Sequence, residues 1–444
     1  MAQQTEATPS PSPKLETEIQ TEGGPQPLPA EKSFPAEKSF PLDERGVVII
    51  TSIGHFLCHF SEVMYGAVMV AVMTSFGLDK LSAASLSFVG LMLFGFGAVP
   101  VGYWVDVWGP TRVFWVYFVG LAVAGLFVAA APSVWTLGIA LSFLGLVASI
   151  YHPVGLAMLS LHTKSRGKAL GINGVAGSVG IALGPALGTA LRSPVLWRFA
   201  YVIVSVLAIV SAVIYGLLLR RERQRRLGAS HAELPTPSEN SASGTTSSVR
   251  KSRLRLILLY SAMLVGGLNY RALLTTLPTY LSGETSQGGE LATGAILVFI
   301  TLMMGAVGQL LGGWLSDKYG AMLTYPMMVG LLVVSSLLVG FSSNKGVAFV
   351  TCSIMAIFLF GLQPPENSSL ADATSRGRRG LSYGTKFAMT FGIGAAGGPL
   401  VGFIWEQFRD FSWVFFVIAG SASVMSLLAL GAWLVGRETS KPKS

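Results

Sequence analysis

"GYWVDVWG", residues 102–109, returns as "GWLSDKYG" at residues 313–320. Each copy sets a glycine, an aspartate four residues later and a second glycine three residues after that. Gly102, Asp106 and Gly109 thus map onto Gly313, Asp317 and Gly320 at an offset of 211. A second pattern repeats at nearly the same distance. "GIALGPALG" supplies Gly180, Gly184, Pro185 and Gly188, and "GAAGGPLVG" supplies Gly394, Gly398, Pro399 and Gly402, offset by 214. Two unrelated patterns at one spacing imply a duplicated chain whose halves fold alike.

The medium in which they fold follows from composition. Hydrophobic residues make up 51% of the 444 and charged residues 12%, with a mean hydropathy of +0.59. A soluble domain carries about 25% charge. Twelve apolar runs reach the roughly 20 residues needed to span a bilayer: 46–73, 81–105, 112–131, 134–162, 168–191, 195–219, 254–281, 291–315, 322–341, 346–371, 383–405 and 411–436. This predicts an all-α membrane protein of two pseudo-symmetric six-helix bundles, 46–219 and 254–436. A basic, Ser/Thr/Pro-rich stretch at 220–253 reads as a flexible cytoplasmic linker. Residues 1–45, rich in Pro, Glu and Ser, read as a disordered cytoplasmic tail with no apolar signal-peptide core. Residues 437–444 form a second tail.

The net charge of +9 resembles a nucleic-acid signal until its positions are read. Of the 31 Lys and Arg, only Lys80, Arg192, Arg198, Lys345 and Arg409 fall on odd-numbered loops, and Arg271 falls within a span. The other 25 sit on the termini and even-numbered loops. Positive charge is retained in the cytoplasm during insertion, so both termini are expected there. The basic balance is a topology signal, and no nucleic-acid partner is expected. An inner or plasma membrane is the expected location, with the lipid bilayer itself as partner. Cys58 and Cys352 both fall within spans, which leaves no disulfide framework.

Polar groups deep in such spans are costly, about 2.5–3.5 kcal/mol each for charged residues at mid-membrane. Span one carries His55, His59 and Glu62, spaced to lie within roughly a 60° arc of one helix face. Span four carries His152, span seven Asn269 and Arg271, and span ten Gln363, Glu366 and Asn367. Other ionisable groups, such as Lys386 and Arg198, lie near span ends. Every third span is polar in both halves, which predicts a central polar pathway near the bilayer midplane. Pro153, Pro364 and Pro365 remove backbone donors beside these side chains and loosen the wall.

The two glycine–aspartate repeats resemble the signature loop of the major facilitator superfamily, Gly-x-x-x-Asp-(Arg/Lys)-x-Gly-x-(Arg/Lys)-(Arg/Lys). Val107 replaces its first basic residue, Pro110 and Thr111 occupy the next places, and only Arg112 survives; the second copy keeps Lys318 but has Ala321 and Met322. The resemblance implies that helices 1, 4, 7 and 10 line the cavity. It also implies that Asp106, Arg112, Asp317 and Lys318 form a conformational gate. Gly184 and Pro185, with Gly398 and Pro399, resemble the antiporter motif of that family and are read chiefly as helix packing. His-x-x-x-His in span one with His-Pro in span four is similar to the fosmidomycin-resistance-like branch. The basic motif common in helix 4 of drug–proton antiporters is absent.

An enzyme is not expected. A membrane di-iron desaturase needs about eight histidines, against the five here, of which His162 and His231 lie at a loop and in the linker. In zinc peptidases a glutamate stands between two helical histidines, whereas Glu62 follows them. No catalytic residue, cofactor or resident metal is assigned, although His55, His59 and Glu62 with His152 would suit a divalent ion. The expected function is secondary active transport of a small organic anion by alternating access, coupled to protons and carried out by a monomer. Substrate binding is assigned to Arg271, His152, Asn269, Gln363 and Asn367, and proton coupling to Glu62, His59, His55 and Glu366. If Arg271 is purely structural, Glu366 is its first candidate partner. Drug or metal-chelate efflux by proton antiport, or a non-transporting receptor, are the alternatives.

Overall fold

The computed structural model describes residues 42–191, 193–228, 246–282 and 289–439. Residues 1–41, the linker residues 229–245 with His231, and 440–444 lie outside the described residues. Among those described, regular structure is entirely helical. Twelve helices are long and apolar enough to cross a membrane: α1 (Glu44–Phe76), α2 (Lys80–Trp108), α3 (Pro110–Ala130), α4 (Val134–His162), α5 (Arg166–Gly188), α6 (Trp197–Arg225), α7 (Arg250–Ser282), α8 (Thr293–Tyr319), α9 (Ala321–Gly340), α10 (Lys345–Asp372), α11 (Arg376–Phe408) and α12 (Ser412–Arg437). Helical structure runs on to Gly228 after α6 and begins at Thr246 before α7. Both ends of the linker are therefore helical.

Side chains fix several helix starts. Asp43 accepts from Gly46 N at 2.8 Å, Asp79 from Ser82 N at 2.8 Å and Asn344 from Val347 N at 3.0 Å, each satisfying an otherwise orphaned donor. Ser133 and Thr136 form a reciprocal capping box at α4. Exposed apolar side chains recur at helical spacing, as in Val116, Val119, Val123 and Leu126 on α3, and Val206, Ile209, Val213 and Leu217 on α6. Such stripes face lipid, where they need no protein partner.

Close packing follows the glycines in the first half. A Cβ on Gly180, Gly184 or Gly188 of α5 would run into the Phe56 carbonyl, the Val63 side chain or Ala67 of α1. The second half differs from the sequence reading. Gly398 makes only ordinary contact with Thr275, and a Cβ on Gly402 would meet open space; Gly394 and Gly397 are the residues pressed against Gly267 and Leu268 of α7. A π turn at Ala388–Ile393 and a 3-10 turn at Gly394–Ala396 precede Gly398. They shift the register, so the packing role expected of Gly398 and Pro399 moves to earlier glycines.

The proline positions mark breaks. Helix α4 is interrupted at Ser149 and Ile150, just before Tyr151-His152-Pro153, and α10 at Leu362, just before Gln363-Pro364-Pro365. Each proline denies a carbonyl four residues earlier its usual donor. The histidine of α4 and the glutamate of α10 thus sit beside loosened backbone.

Candidate functional site

Two motif aspartates pin the halves together at the end of the bundle where α1 begins and α12 ends. Asp106 accepts from Gly380 N at 2.7 Å and Leu381 N at 2.9 Å, in the first turns of α11. Asp317 accepts from Gly167 N at 2.7 Å and Lys168 N at 2.8 Å, in the first turn of α5. Each carboxylate therefore caps a helix of the opposite half, where unsatisfied N–H groups and the helix dipole favour negative charge. The glycines complete the device. Gly102 lies against the Gly380 carbonyl and Gly313 against that of Gly167, approaches that a side chain would block. Gly109 and Gly320 take φ of 82° and 87°, which favours glycine.

The basic members of the expected gate do not join it. Arg112 is exposed, and Lys318 lies over the Trp314 and Tyr319 rings at 4.8 and 5.0 Å. Cations that act between the halves at this end include Arg166, which donates to Asp372 at 2.5 Å, and Arg378, whose charge acts on Asp106. Both Arg166 and Asp372 are partly exposed, so their pair adds at most about 1 kcal/mol. Backbone N–H groups supply what the missing motif charges do not.

Beyond this closed end, a cavity of about 590 Å³ lies between the halves, lined from α1, α4, α5, α7, α8, α10 and α11. His55, His59 and His152 form one wall; Gln363 and Glu366 form the other with Lys386 and Gln309. Glu366 is buried and accepts from Lys386 Nζ at 2.7 Å and from the Tyr325 hydroxyl at 3.1 Å. Lys386 also donates to Asn367 Oδ1 at 2.5 Å. Gln309 donates to Gln363 Oε1 at 3.4 Å.

On the histidine wall, His55 Nδ1 lies 2.8 Å from the Asn173 carbonyl and His59 Nδ1 lies 2.7 Å from Glu62 Oε2. His152 stacks on Phe387 with ring centroids 4.0 Å apart. Glu62 itself lines a smaller neighbouring cavity together with Arg271. Tyr270 and Phe391 line both cavities and separate Arg271 from the larger one.

Three of the five residues assigned to substrate binding, Arg271, Asn269 and Asn367, do not line the larger cavity. The partner of Glu366 is Lys386, with Arg271 placed beside Glu62 instead. Asn269 does not line the cavity; its Oδ1 accepts from Ser421 of α12 at 2.5 Å. Asn367 stands behind the cavity wall, on Lys386. The sequence reading missed Lys386, which lies ten residues into α11, about 15 Å along its axis. The polar start of that helix, "RGRRGLS" at 376–382, hid its true beginning. Asn173 and Gln309, single amides in α5 and α8, give no sequence signal because no ionisable residue stands beside them within the apolar run.

A twelve-helix bundle of two halves, tied at one end by paired aspartates and hollow between, defines an architecture that sequence comparison names. The Major Facilitator Superfamily profile matches residues 51–399. The chain belongs to the major facilitator superfamily. Among relatives in this superfamily, the puromycin resistance protein pur8 of Streptomyces alboniger is 32% identical over 33% of this chain and 28% of its own. The probable L-galactonate transporter of Escherichia coli is 26% identical, over 54% of each chain. This chain thus spans about a quarter and about half the length of these two relatives. The fosmidomycin resistance protein of Escherichia coli is 23% identical over 81% of this chain and 86% of its own. The crystal structure of the human organic anion transporter MFSD10 shares the fold, with a TM-score of 0.63 and 17% identity over 87% of this chain and 99% of that one. Membership in this superfamily and twelve apolar helices make the chain an integral, multi-pass membrane protein.

Proposed function

We propose that the protein moves a small organic anion by proton-coupled alternating access, the two bundles rocking about the central cavity. The observation that carries this reading is the buried Glu366–Lys386 pair facing a cavity built by both halves. While Glu366 is ionised it neutralises Lys386, and an incoming carboxylate has no free cation to meet. A proton on Glu366 releases Lys386 to the substrate, so anion and proton enter the site together. Leaving either charge unpaired would cost several kcal/mol where both side chains are buried. Glu62, held by His59, is the second carboxylate placed to take a proton. Gln363 and His152 line the same cavity as hydrogen-bonding groups for the cargo.

The relative named for L-galactonate supports the anion reading. Efflux of a drug by proton antiport is the second reading, favoured by the puromycin and fosmidomycin relatives. With both termini cytoplasmic, as the loop charges argue, the closed end is the cytoplasmic one. Equilibrium binding of a panel of sugar acids and related carboxylates to the purified protein tests the site. Lys386→Ala should weaken binding about 10- to 100-fold, the loss expected of a charged hydrogen bond worth about 1.5–3 kcal/mol. Glu366→Gln should bind as tightly as the unaltered protein or tighter. Unchanged affinity in a monodisperse Lys386→Ala protein would count against the reading.

A further inference from the structure

The three cavity histidines have a geometry that proton handling alone does not require. One ring nitrogen from each of His55, His59 and His152 lies within 4.8 Å of one from each of the others. Their ring centroids form a near-equilateral triangle with sides of 4.9, 5.2 and 5.3 Å. All three are buried. On two of the rings Nδ1 already has a partner, and Nε2 of His152 lies 3.8 Å from the Cys58 sulfur. A carbonyl can only accept, so the contact with the Asn173 carbonyl places the hydrogen of His55 on Nδ1. The Glu62 carboxylate likewise places the hydrogen of His59 on Nδ1. In the neutral rings this leaves both Nε2 lone pairs unprotonated. A carbonyl and a carboxylate behind two imidazoles are the supports that orient histidine ligands on a metal.

We propose that His55, His59 and His152 form a site for a divalent transition-metal ion of the zinc or cobalt type, and that a carboxylate of the transported anion completes its coordination from the cavity. The second half rests on the anion reading above; the first half does not. Imidazole nitrogens suit this class of ion, and three histidines leave a fourth position open. Bonds of about 2.0 Å at a tetrahedral centre set the nitrogens about 3.3 Å apart, so small rotations of the rings would close the site. Negative charge is at hand for a dication in Glu62 behind His59 and, once cargo is bound, in its carboxylate, which the ion would share with Lys386. Binding at His59 Nε2 leaves the hydrogen bond from Nδ1 to Glu62 intact.

The test is titration of the purified full chain, its affinity tag removed, with Co²⁺ followed by visible absorption and with Zn²⁺ as competitor. No gradient and no organic acid are present, so the result is independent of transport. One Co²⁺ per chain should bind, with visible bands that Zn²⁺ abolishes. His55→Ala, His59→Ala and His152→Ala should each weaken binding at least about 100-fold, and Glu62→Gln, which removes only the supporting carboxylate, about 10- to 100-fold. His162→Ala should leave it unchanged. Size-exclusion profiles, with His152→Asn as a gentler variant, separate lost ligation from lost folding. Binding that survives in folded single variants at all three histidines, or bands that never appear, would overturn the site. Bands unmoved by a carboxylate that the protein demonstrably binds would overturn the claim that cargo completes it.

Discussion

Lys386 delivers its charge ten residues into α11, against two polar side chains of α10. A lysine there is stable only because Glu366 and Asn367 meet it, which makes the pair a place where one added proton changes what the cavity can hold. Arg271 has another surrounding: it shares a smaller cavity with Glu62, beyond Tyr270 and Phe391. Both Glu62 and Arg271 lie further along their helices, away from the closed end, than the groups lining the main cavity. This suits an anion's entry station better than its final site. Arg271→Ala should therefore slow substrate association while leaving equilibrium affinity reduced by less than Lys386→Ala does, a comparison that stopped-flow binding makes directly. A loss of affinity in Arg271→Ala larger than in Lys386→Ala would return the anion site to the guanidinium. The sequence made His55, His59, His152 and Glu366 legible because isolated ionisable groups stand out in apolar runs. It hid Lys386, since arginines upstream made the lysine look like a helix-end charge, and it could not reveal which way Asn269 turns.

Among the helices, the same device appears twice. An aspartate at the end of α2 caps α11, and one at the end of α8 caps α5. The two caps can form only when the halves are closed at that end, so they weight the conformational equilibrium without touching the cavity. Asparagine retains one acceptor and loses the charge. Asp106→Asn or Asp317→Asn should each give up part of the roughly 1.5–3 kcal/mol of a charged hydrogen bond. Transport rate should fall about tenfold, with substrate affinity held within a few-fold. Complete loss of binding in a folded Asp106→Asn protein would place the residue in the site instead. The turn glycines of this device were readable from spacing alone. The donors were not, because backbone N–H groups carry no sequence signature; only the aspartates that need them do. In α11 the repeat misled, since π and 3-10 turns rotated Gly398 away from the contact its counterpart Gly184 makes.

At the scale of the molecule, duplication explains both the fold and the cavity. Two copies of one six-helix unit meet across an interface whose closed end is held by hydrogen bonds and whose centre is hollow. Twelve spans and the repeat were legible because apolar length and glycine spacing are local properties of a chain. The wall composition was less so, because α5, α8 and α11 contribute one or two polar residues each, whose position only the assembled bundle fixes. The central claim, that a proton on Glu366 admits the anion, is tested most directly by accumulation of a labelled sugar acid or related carboxylate in proteoliposomes under an imposed pH gradient. The unaltered protein should accumulate it when the outside is acidic and cease when the gradient is collapsed. Glu366→Gln, fixed in the neutral form, should still exchange substrate across the membrane but accumulate none. Accumulation by Glu366→Gln with the pH dependence of the unaltered protein would contradict the account.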